Sequence, residues 1–290
     1  MKKTEKHTED KPCPKVRPRV RAFVQPTGGA GKTTTLVRLA EAINAVPGRK
    51  ALPIDVDPES ATLTHHKALG PIRINVMNEQ QSEVDQLQYS ALFNAIAEAP
   101  LHGYTDILLD PGASGYRGLV TWLMSQGVVG FLEVIGFEFE LHYVIPGNAR
   151  KEEAYKDLAF ILRSFPTQLV TLWLNPIQES CRLDGKDFTD TDLYAEHRDR
   201  FKAVVRLPQM DAAFRDTFMR LLQHGMTYEE ALAPAETLVE DIRRAIGGGG
   251  ITSGAMAKMP PGLNDPLAPS RIVAIRTWID QAIRAATGVL

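Results

Sequence analysis

The sequence predicts an α/β fold in which a mostly parallel sheet carries helices on both faces, with a helical appendage after it. Short apolar runs alternate with segments of helical periodicity from residue 19 to residue 207, which is typical of strands joined by crossover helices. A glycine-rich turn joins the first strand to the first helix. With 44% hydrophobic residues in a chain of 290, there is enough apolar material for a sizeable core.

The expected strands are short apolar runs, several of them bounded by turn residues. In chain order they are residues 19–25, 51–56, 104–109, 140–145, 169–174 and 203–207, with a further apolar run at 72–77. The run at 104–109 is continuous and ends in Asp110, which suits a strand covered on both faces.

Segments with apolar residues at helical spacing lie between these runs. The predicted helices are residues 32–46, 84–99, 119–131 (helical or mixed) and 151–164, followed by 211–224 and 227–246 after the last strand. Thr227 and Glu230 form a capping box, which marks the start of the last of these.

Composition narrows the class of protein. A net charge of −2 and a pI near 6.4 exclude a globally basic nucleic-acid binder. The apolar segments fall short of a membrane span, and the N-terminal MKKTEKHTED lacks the apolar core of a signal peptide. Cys13 and Cys181 fit neither a disulfide framework nor a metal site. We therefore expect a cytoplasmic protein with reduced thiols.

The turn after the first strand has the residues of a phosphate-binding loop, although a merely tight turn is the alternative. Gly28, Gly29 and Gly31 let backbone N–H groups converge on phosphate oxygens, and the helix N-terminus adds partial positive charge. Lys32 would supply a point charge to the β and γ phosphates, and the Thr33 hydroxyl would ligate Mg²⁺. The other residues expected to line the nucleotide here are Thr27, Ala30 and Thr34. The fold class is therefore that of a P-loop NTPase.

The loop TGGAGKT, residues 27–33, resembles the deviant Walker A loop of the ParA/MinD-type ATPases of the SIMIBI class, usually K-G-G-x-G-K-[ST]. The general P-loop pattern would place a glycine five positions before Gly31, where this chain has Pro26. ALPIDVDPESATLT, residues 51–64, resembles the second signature of that family, and YTDILLDPGASG, residues 104–115, resembles its Walker B strand.

Two weaker matches follow in family order. VTLWLNP, residues 170–176, resembles the strand whose terminal asparagine faces adenine, and AVVRLPQMDAAFRD, residues 203–216, resembles the closing strand and base-flanking loop. The resemblance implies that Asn175 and Pro208 contact the base. An N-K-x-D guanine motif is absent after Asn175, so ATP is favoured over GTP.

The resemblance also implies roles for three carboxylates. Asp57 corresponds to the residue that orients or activates the attacking water and is, with Lys32, the predicted catalytic residue. Asp55 is expected near the metal, and Asp110 is the natural outer-sphere partner of Mg²⁺, beside the ligand Thr33. The alternative for all three carboxylates is a turn-capping role before a proline.

Thr27 stands where the resembled family has the lysine that reaches a partner's nucleotide across a dimer. A threonine cannot reach or charge a neighbouring phosphate. Either another cation, such as an arginine elsewhere, takes this role, or hydrolysis is slow and the ATP-bound state is a binding switch. Lysine-less versions of the loop occur among plasmid stability and conjugation accessory proteins of StbB type, and the long insert after the Walker B strand fits that branch.

The expected domains are a basic flexible tail at 1–18, a P-loop ATPase domain at 19–246, a Gly/Pro-rich linker at 247–270 and a C-terminal amphipathic helix at 271–290. We expect the helix to dock on the core; a partner protein is the next alternative and a membrane the least favoured.

The leading hypothesis is an ATP-dependent switch in plasmid maintenance or transfer, acting as a homodimer or on a partner protein, with DNA contact that is non-specific or indirect. A nucleotide-binding scaffold with little hydrolysis and an ATP-dependent small-molecule enzyme are the alternatives.

Overall fold

The computed structural model describes residues 16–57, 62–76, 88–113, 115–125 and 127–207, together with residues 209, 215, 225, 226 and 230. Within them the chain forms a 7-stranded sheet, and each strand runs parallel to the strands it pairs with. The strands are β1 Arg19–Phe23, β2 Ala51–Asp55, β3 Ile72–Arg73, β4 Asp106–Asp110, β5 Glu138–Pro146, β6 Leu169–Asn175 and β7 Phe201–Arg206. The predicted α/β fold with a parallel sheet is confirmed.

Helices occupy most of the connections between these strands. In the described part of the chain the α-helices are α1 Lys32–Asn44, α2 Gln88–Glu98, α3 Tyr116–Ser125, α4 Val128–Val134, α5 Lys151–Ser164 and α6 Asp192–Glu196. Helix α5 has the predicted bounds. The segment predicted as helical or mixed consists of α3 and α4, and the second begins after Gly127, whose φ of 61° is left-handed. Among the helices described, none combines the length and the hydropathy that a membrane span requires.

The strand order is β3-β2-β4-β1-β5-β6-β7. Strand β1 therefore lies between β4 and β5. The strands β2, β3 and β4 lie on one side of β1, and after β4 the chain crosses to β5 on the other side. In open parallel sheets such a reversal opens a crevice at the carboxyl ends of the strands, where ligands bind. The glycine-rich turn between β1 and α1 lies at this position.

The two faces of the sheet have different chemistry. Alternation along β1 places Val20 and Ala22 in a continuous apolar core that includes positions from α2 to α5. Arg21 lies on the opposite face and is fully buried, with Nε 3.1 Å from Asp106 Oδ1 and Nη1 3.9 Å from Glu140 Oε2. A buried guanidinium is tolerated there because carboxylates on both neighbouring strands compensate its charge.

Several predictions concern residues outside the described part. These are most of the tail at 1–18, Pro208, nearly all of the helices at 211–224 and 227–246, the linker at 247–270 and the C-terminal helix at 271–290. The domain boundaries that depend on these residues remain predictions.

Candidate functional site

The glycine-rich turn adopts a conformation that requires glycine at its last position. Gly31 has φ of 91°, a left-handed value, and is the residue before the first turn of α1. A Cβ atom at Gly31 would stand 2.4 Å from Asn175 Nδ2, so a larger residue would also collide with β6. The first turn of α1 has no acidic residue and no side-chain cap. Its backbone N–H groups and partial positive charge are thus available to an anion.

Lys32 folds back over the turn. Its side chain is buried in the loop, and Nζ donates a hydrogen bond to the Thr27 carbonyl oxygen at 3.2 Å. Burial lowers the pKa of Lys32, whereas the nearby carboxylates of Asp110 and Asp57 raise it. The ammonium group therefore lies between the glycine loop and the two carboxylates, where a phosphate would be neutralised.

Thr33 and Asp110 meet at the same edge of the sheet. The Thr33 hydroxyl donates to Asp110 Oδ2 at 2.6 Å. Asp110 Oδ1 is buried and accepts no hydrogen bond from any described residue. Burial raises the pKa of Asp110 to about 7, partly opposed by Thr33 and Lys32. A buried carboxylate with a free oxygen beside a hydroxyl fits a site for a hydrated cation.

The protein would contribute few ligands to a bound Mg²⁺. The residues described contain no group of three or more His, Cys, Asp or Glu side chains placed to hold a metal. Mg²⁺ in nucleotide sites typically keeps several waters and binds substrate phosphates together with one or two protein oxygens. Thr33 would be the direct ligand here and Asp110 would bind through water, so the donor set fits.

Asp55 and Asp57 have different environments. Asp55 is fully buried; its Oδ1 accepts from the Asp57 amide at 3.0 Å and its Oδ2 from the Thr64 amide at 3.2 Å. Burial raises the pKa of Asp55. Because its oxygens accept from the Asp57 and Thr64 amides, Asp55 fixes the backbone at these two residues. Its predicted position near the metal stays a prediction.

Asp57 reaches the site because of a glycine. A Cβ atom at Gly112 would stand 2.1 Å from both Cγ and Oδ1 of Asp57, so the end of β4 leaves space for this carboxylate. Lys32, Thr33, Asp110 and Asp57, which the sequence predicts as site residues, are therefore brought together by the fold.

Asn175 contacts the phosphate loop. Its Nδ2 donates to the Ala30 carbonyl oxygen at 3.4 Å, and the side chain is buried at the end of β6. The predicted contact with adenine is untested, as is that of Pro208, which lies outside the described residues. Of the other predicted loop residues, Gly29 has a left-handed φ of 73° and Thr34 is half-buried in the first turn of α1.

Two residues at this site were not predicted from the sequence. Arg150 Nη1 donates to the Gly28 carbonyl oxygen at 2.9 Å. Asp157 Oδ2 accepts from the Thr27 hydroxyl at 3.5 Å. The sequence position of Arg150 could have indicated its role, because Arg150 follows the end of β5 and the carboxyl ends of parallel strands share one edge of the sheet.

Comparisons with known proteins identify the family to which the chain belongs. Residues 22–248 match the family described as CbiA, the CobQ/CobB/MinD/ParA nucleotide binding domain. Two proteins of Escherichia coli, each called Protein TraL, are 30% and 28% identical over 217 residues, which is 74% of this chain and 87% of each relative.

Solved structures resemble the chain more distantly. A ParA family ATPase from Chlorobium tepidum has 19% identity and a TM-score of 0.48 over 72% of this chain and 89% of its own. The MinC:MinD cell division complex of Aquifex aeolicus has 18% identity and a TM-score of 0.45 over 81% and 97%. The strand order and the parallel pairing, not these likenesses, carry the fold assignment.

Proposed function

The chain belongs to the CobQ/CobB/MinD/ParA nucleotide-binding family, and from this membership we propose that it is a Mg-ATP-dependent P-loop ATPase that acts as a nucleotide switch in plasmid stability or conjugative transfer. The observation that carries the proposal is the convergence of Lys32, Thr33 and Asp110 at the glycine loop. Lys32 Nζ donates a hydrogen bond to the Thr27 carbonyl oxygen of the loop, and the Thr33 hydroxyl donates one to Asp110 Oδ2 at 2.6 Å.

Each of these residues has a task in phosphoryl transfer, which depends mainly on positioning and charge neutralisation. The N-terminus of α1 and the loop amides bind phosphate oxygens. Lys32 exchanges its contact with the Thr27 carbonyl for the β and γ phosphates. Bound Mg²⁺ would neutralise phosphate charge, with Thr33 as its ligand and Asp110 behind a water.

Asp57 is proposed to orient the attacking water. Its backbone amide is held by Asp55, and Gly112 leaves space for its carboxylate beside β4. A water-orienting carboxylate must be held in a defined place, because rate depends steeply on the alignment of the attacking group. The contact with Asp55 and the space at Gly112 therefore support this role for Asp57.

The base is proposed to be adenine. Asn175 is followed by Pro176, Ile177 and Gln178, which do not form the N-K-x-D guanine motif. The end of β6, which carries Asn175, packs against the glycine loop through Ala30. This contact with the loop supports the proposal that Asn175 contributes to a base site beside it.

The biological setting is inferred from the lysine-less loop. Thr27 replaces the lysine of the K-G-G signature, and loops of this kind resemble those of plasmid stability and conjugation accessory proteins. We include in the proposal a homodimer or a partner protein controlled by the nucleotide, a cytoplasmic location and DNA contact that is non-specific or indirect.

A second candidate, a nucleotide-binding scaffold with little hydrolysis, is favoured by one observation. Thr27 is buried, neutral and bound to Asp157, so position 27 contributes no charge to the phosphates. In a scaffold the bound ATP would stabilise one conformation and would not be turned over.

ATP turnover distinguishes the two. The full chain would be assayed with Mg²⁺ alone, with DNA, and with candidate plasmid-encoded partners, and Lys32→Ala would serve as the inactive control. Turnover that depends on Lys32 supports the switch. ATP binding without turnover in any of these conditions supports the scaffold, and absence of ATP binding overturns both.

A further inference from the structure

Arg150 lies on a loop that is rigidly attached to the sheet. The loop follows β5, and the Arg150 backbone amide donates to Asn148 Oδ1 at 2.9 Å. Gly147 donates its amide to the Asn175 carbonyl oxygen at 2.7 Å. A Cβ atom at Gly147 would stand 1.8 Å from the Glu179 carbonyl oxygen, so this glycine packs directly against the loop after β6. The backbone that carries Arg150 is therefore held by β6.

The Arg150 side chain contacts the Thr27–Gly28 end of the glycine loop. Its Nη1 donates to the Gly28 carbonyl oxygen at 2.9 Å. The neighbouring Thr27 carbonyl oxygen accepts from Lys32 Nζ at 3.2 Å. Since the lysine of a P-loop binds the β and γ phosphates, we expect the terminal phosphate beside the Thr27–Gly28 end of the loop.

The guanidinium of Arg150 has N–H donors from which no described residue accepts a hydrogen bond. An arginine carries five N–H groups, and within the described part of the chain the Gly28 carbonyl accepts from one of them. The side chain is exposed, and among the described residues it forms no salt bridge with a carboxylate. The adjacent Lys151 differs, since its Nζ is 3.2 Å from Glu179 Oε1. A planar fork with unused donors is suited to phosphate oxygens.

We propose that Arg150 binds the γ-phosphate of the ATP held by the same chain and makes the site selective for triphosphate over diphosphate. It would supply the positive charge that Thr27 lacks, from a different element of the fold. The inference rests on the proposed ATP-binding function. The guanidinium can keep its contact with Gly28 through one nitrogen while its other N–H groups bind the phosphate.

The test compares two nucleotides in three variants. Calorimetry would measure the affinity of the full chain for a non-hydrolysable ATP analogue and for ADP, both with Mg²⁺. Arg150→Ala removes the side chain beyond Cβ, whereas Arg150→Gln keeps a shorter polar side chain with N–H donors and removes the charge. Lys151→Ala is the matched control, since it removes the neighbouring cation, at the first residue of α5.

We expect both Arg150 variants to bind the ATP analogue at least tenfold more weakly, with ADP affinity changed less than twofold, and Lys151→Ala to change neither. Equal loss of both nucleotides would assign Arg150 a structural role and overturn the proposal, as would unchanged selectivity. An effect present only at protein concentrations where the chain dimerises would place the contact on a partner's nucleotide and would also overturn it. Failure of the wild-type chain to bind either nucleotide would instead reject the proposed function, and this inference with it.

Discussion

Lys32 is the residue on which nucleotide binding should depend most. It is the cation inside the loop, and its ammonium group donates a hydrogen bond to the Thr27 carbonyl oxygen at 3.2 Å. We expect Lys32→Ala to weaken ATP binding at least tenfold, which corresponds to about 1.4 kcal/mol. Calorimetry with Mg-ATP measures this directly. Unchanged affinity would remove the basis for the P-loop assignment.

Asp57 should affect turnover more than binding. Its carboxylate is proposed to act on the attacking water and not on the phosphates, so Asp57→Ala should keep ATP bound while kcat falls by about 100-fold. Binding by calorimetry and turnover by phosphate release separate the two effects. Wild-type turnover in this variant would transfer the role to Asp55 or another residue.

Gly112 offers an independent check on the position of Asp57. A Cβ at this position would stand 2.1 Å from the Asp57 carboxylate, so Gly112→Ala should displace that carboxylate. We expect turnover to fall in the same direction as in Asp57→Ala, with the melting temperature measured alongside. If turnover is retained with the fold intact, the carboxylate beside Gly112 is not the one that positions the water.

Between the strands, a buried charge network joins β1, β5 and β7. Glu140 Oε2 is 2.8 Å from Lys202 Nζ and 3.9 Å from Arg21 Nη1, and Oε1 is 3.4 Å from His142 Nε2. His142 Nδ1 accepts from Trp173 Nε1 at 2.9 Å, so in the neutral ring Nε2 carries the proton and faces Glu140. Burial alone would raise the pKa of Glu140, but His142, Arg21 and Lys202 together hold it well below its ordinary value.

Glu140→Gln should therefore destabilise the fold in a pH-dependent way. Arg21 then keeps Asp106 as an acidic partner but loses the charge of Glu140, and breaking a buried charge pair costs about 3 kcal/mol in the free energy of unfolding. Because the folded-state pKa is depressed, this contribution is present above the unfolded pKa of about 4.3 and is lost as pH falls towards the folded value. Denaturant unfolding at several pH values should show a constant difference from wild type above pH about 5 that narrows below pH about 4.

Glu138→Gln is the matched control for Glu140→Gln. Glu138 is on the same strand and pairs with Arg19 at 2.8 Å, but its side chain is 41% exposed. Exposed pairs contribute about 0 to 1 kcal/mol, so this variant should be nearly neutral at every pH. Equal effects of the two variants would contradict the role assigned to the buried network.

For the whole molecule, the open question is what the C-terminal helix predicted at 271–290 contacts. Its apolar residues fall on one side at helical spacing. They are Ile272, Ile275, Trp278, Ile279 and Ile283. If this side docks on the ATPase domain, truncation after residue 250 should lower Tm by at least about 4 °C, and Trp278→Ala should shift it in the same direction by less.

The alternatives for this helix lead to different results. A truncated chain that keeps its Tm and binds ATP, yet fails to associate with a partner in pull-down or with vesicles in flotation, would support a docking role outside the chain. Unchanged stability together with unchanged association would leave the helix without a role in the proposed switch.

The sequence by itself determined the parallel α/β fold, the phosphate loop and the strand that ends in Asp110. These features are encoded locally: Gly31, Lys32 and Thr33 are adjacent, and an apolar strand followed by a polar turn is readable within one short segment. The bounds of α5 could be predicted for the same reason, since helical periodicity extends over residues 151–164.

Only the tertiary structure decided which distant residues complete the site. Thr33 and Asp110 are 77 residues apart, Arg150 and Gly28 are 122 apart, and Asn175 and Ala30 are 145 apart. Their contacts depend on the strand order, which places β4 and β5 on either side of β1 and brings the carboxyl ends of these strands to one edge. A local pattern contains no information about strand order, so the arginine beside the loop could be recognised only once the sheet was assembled.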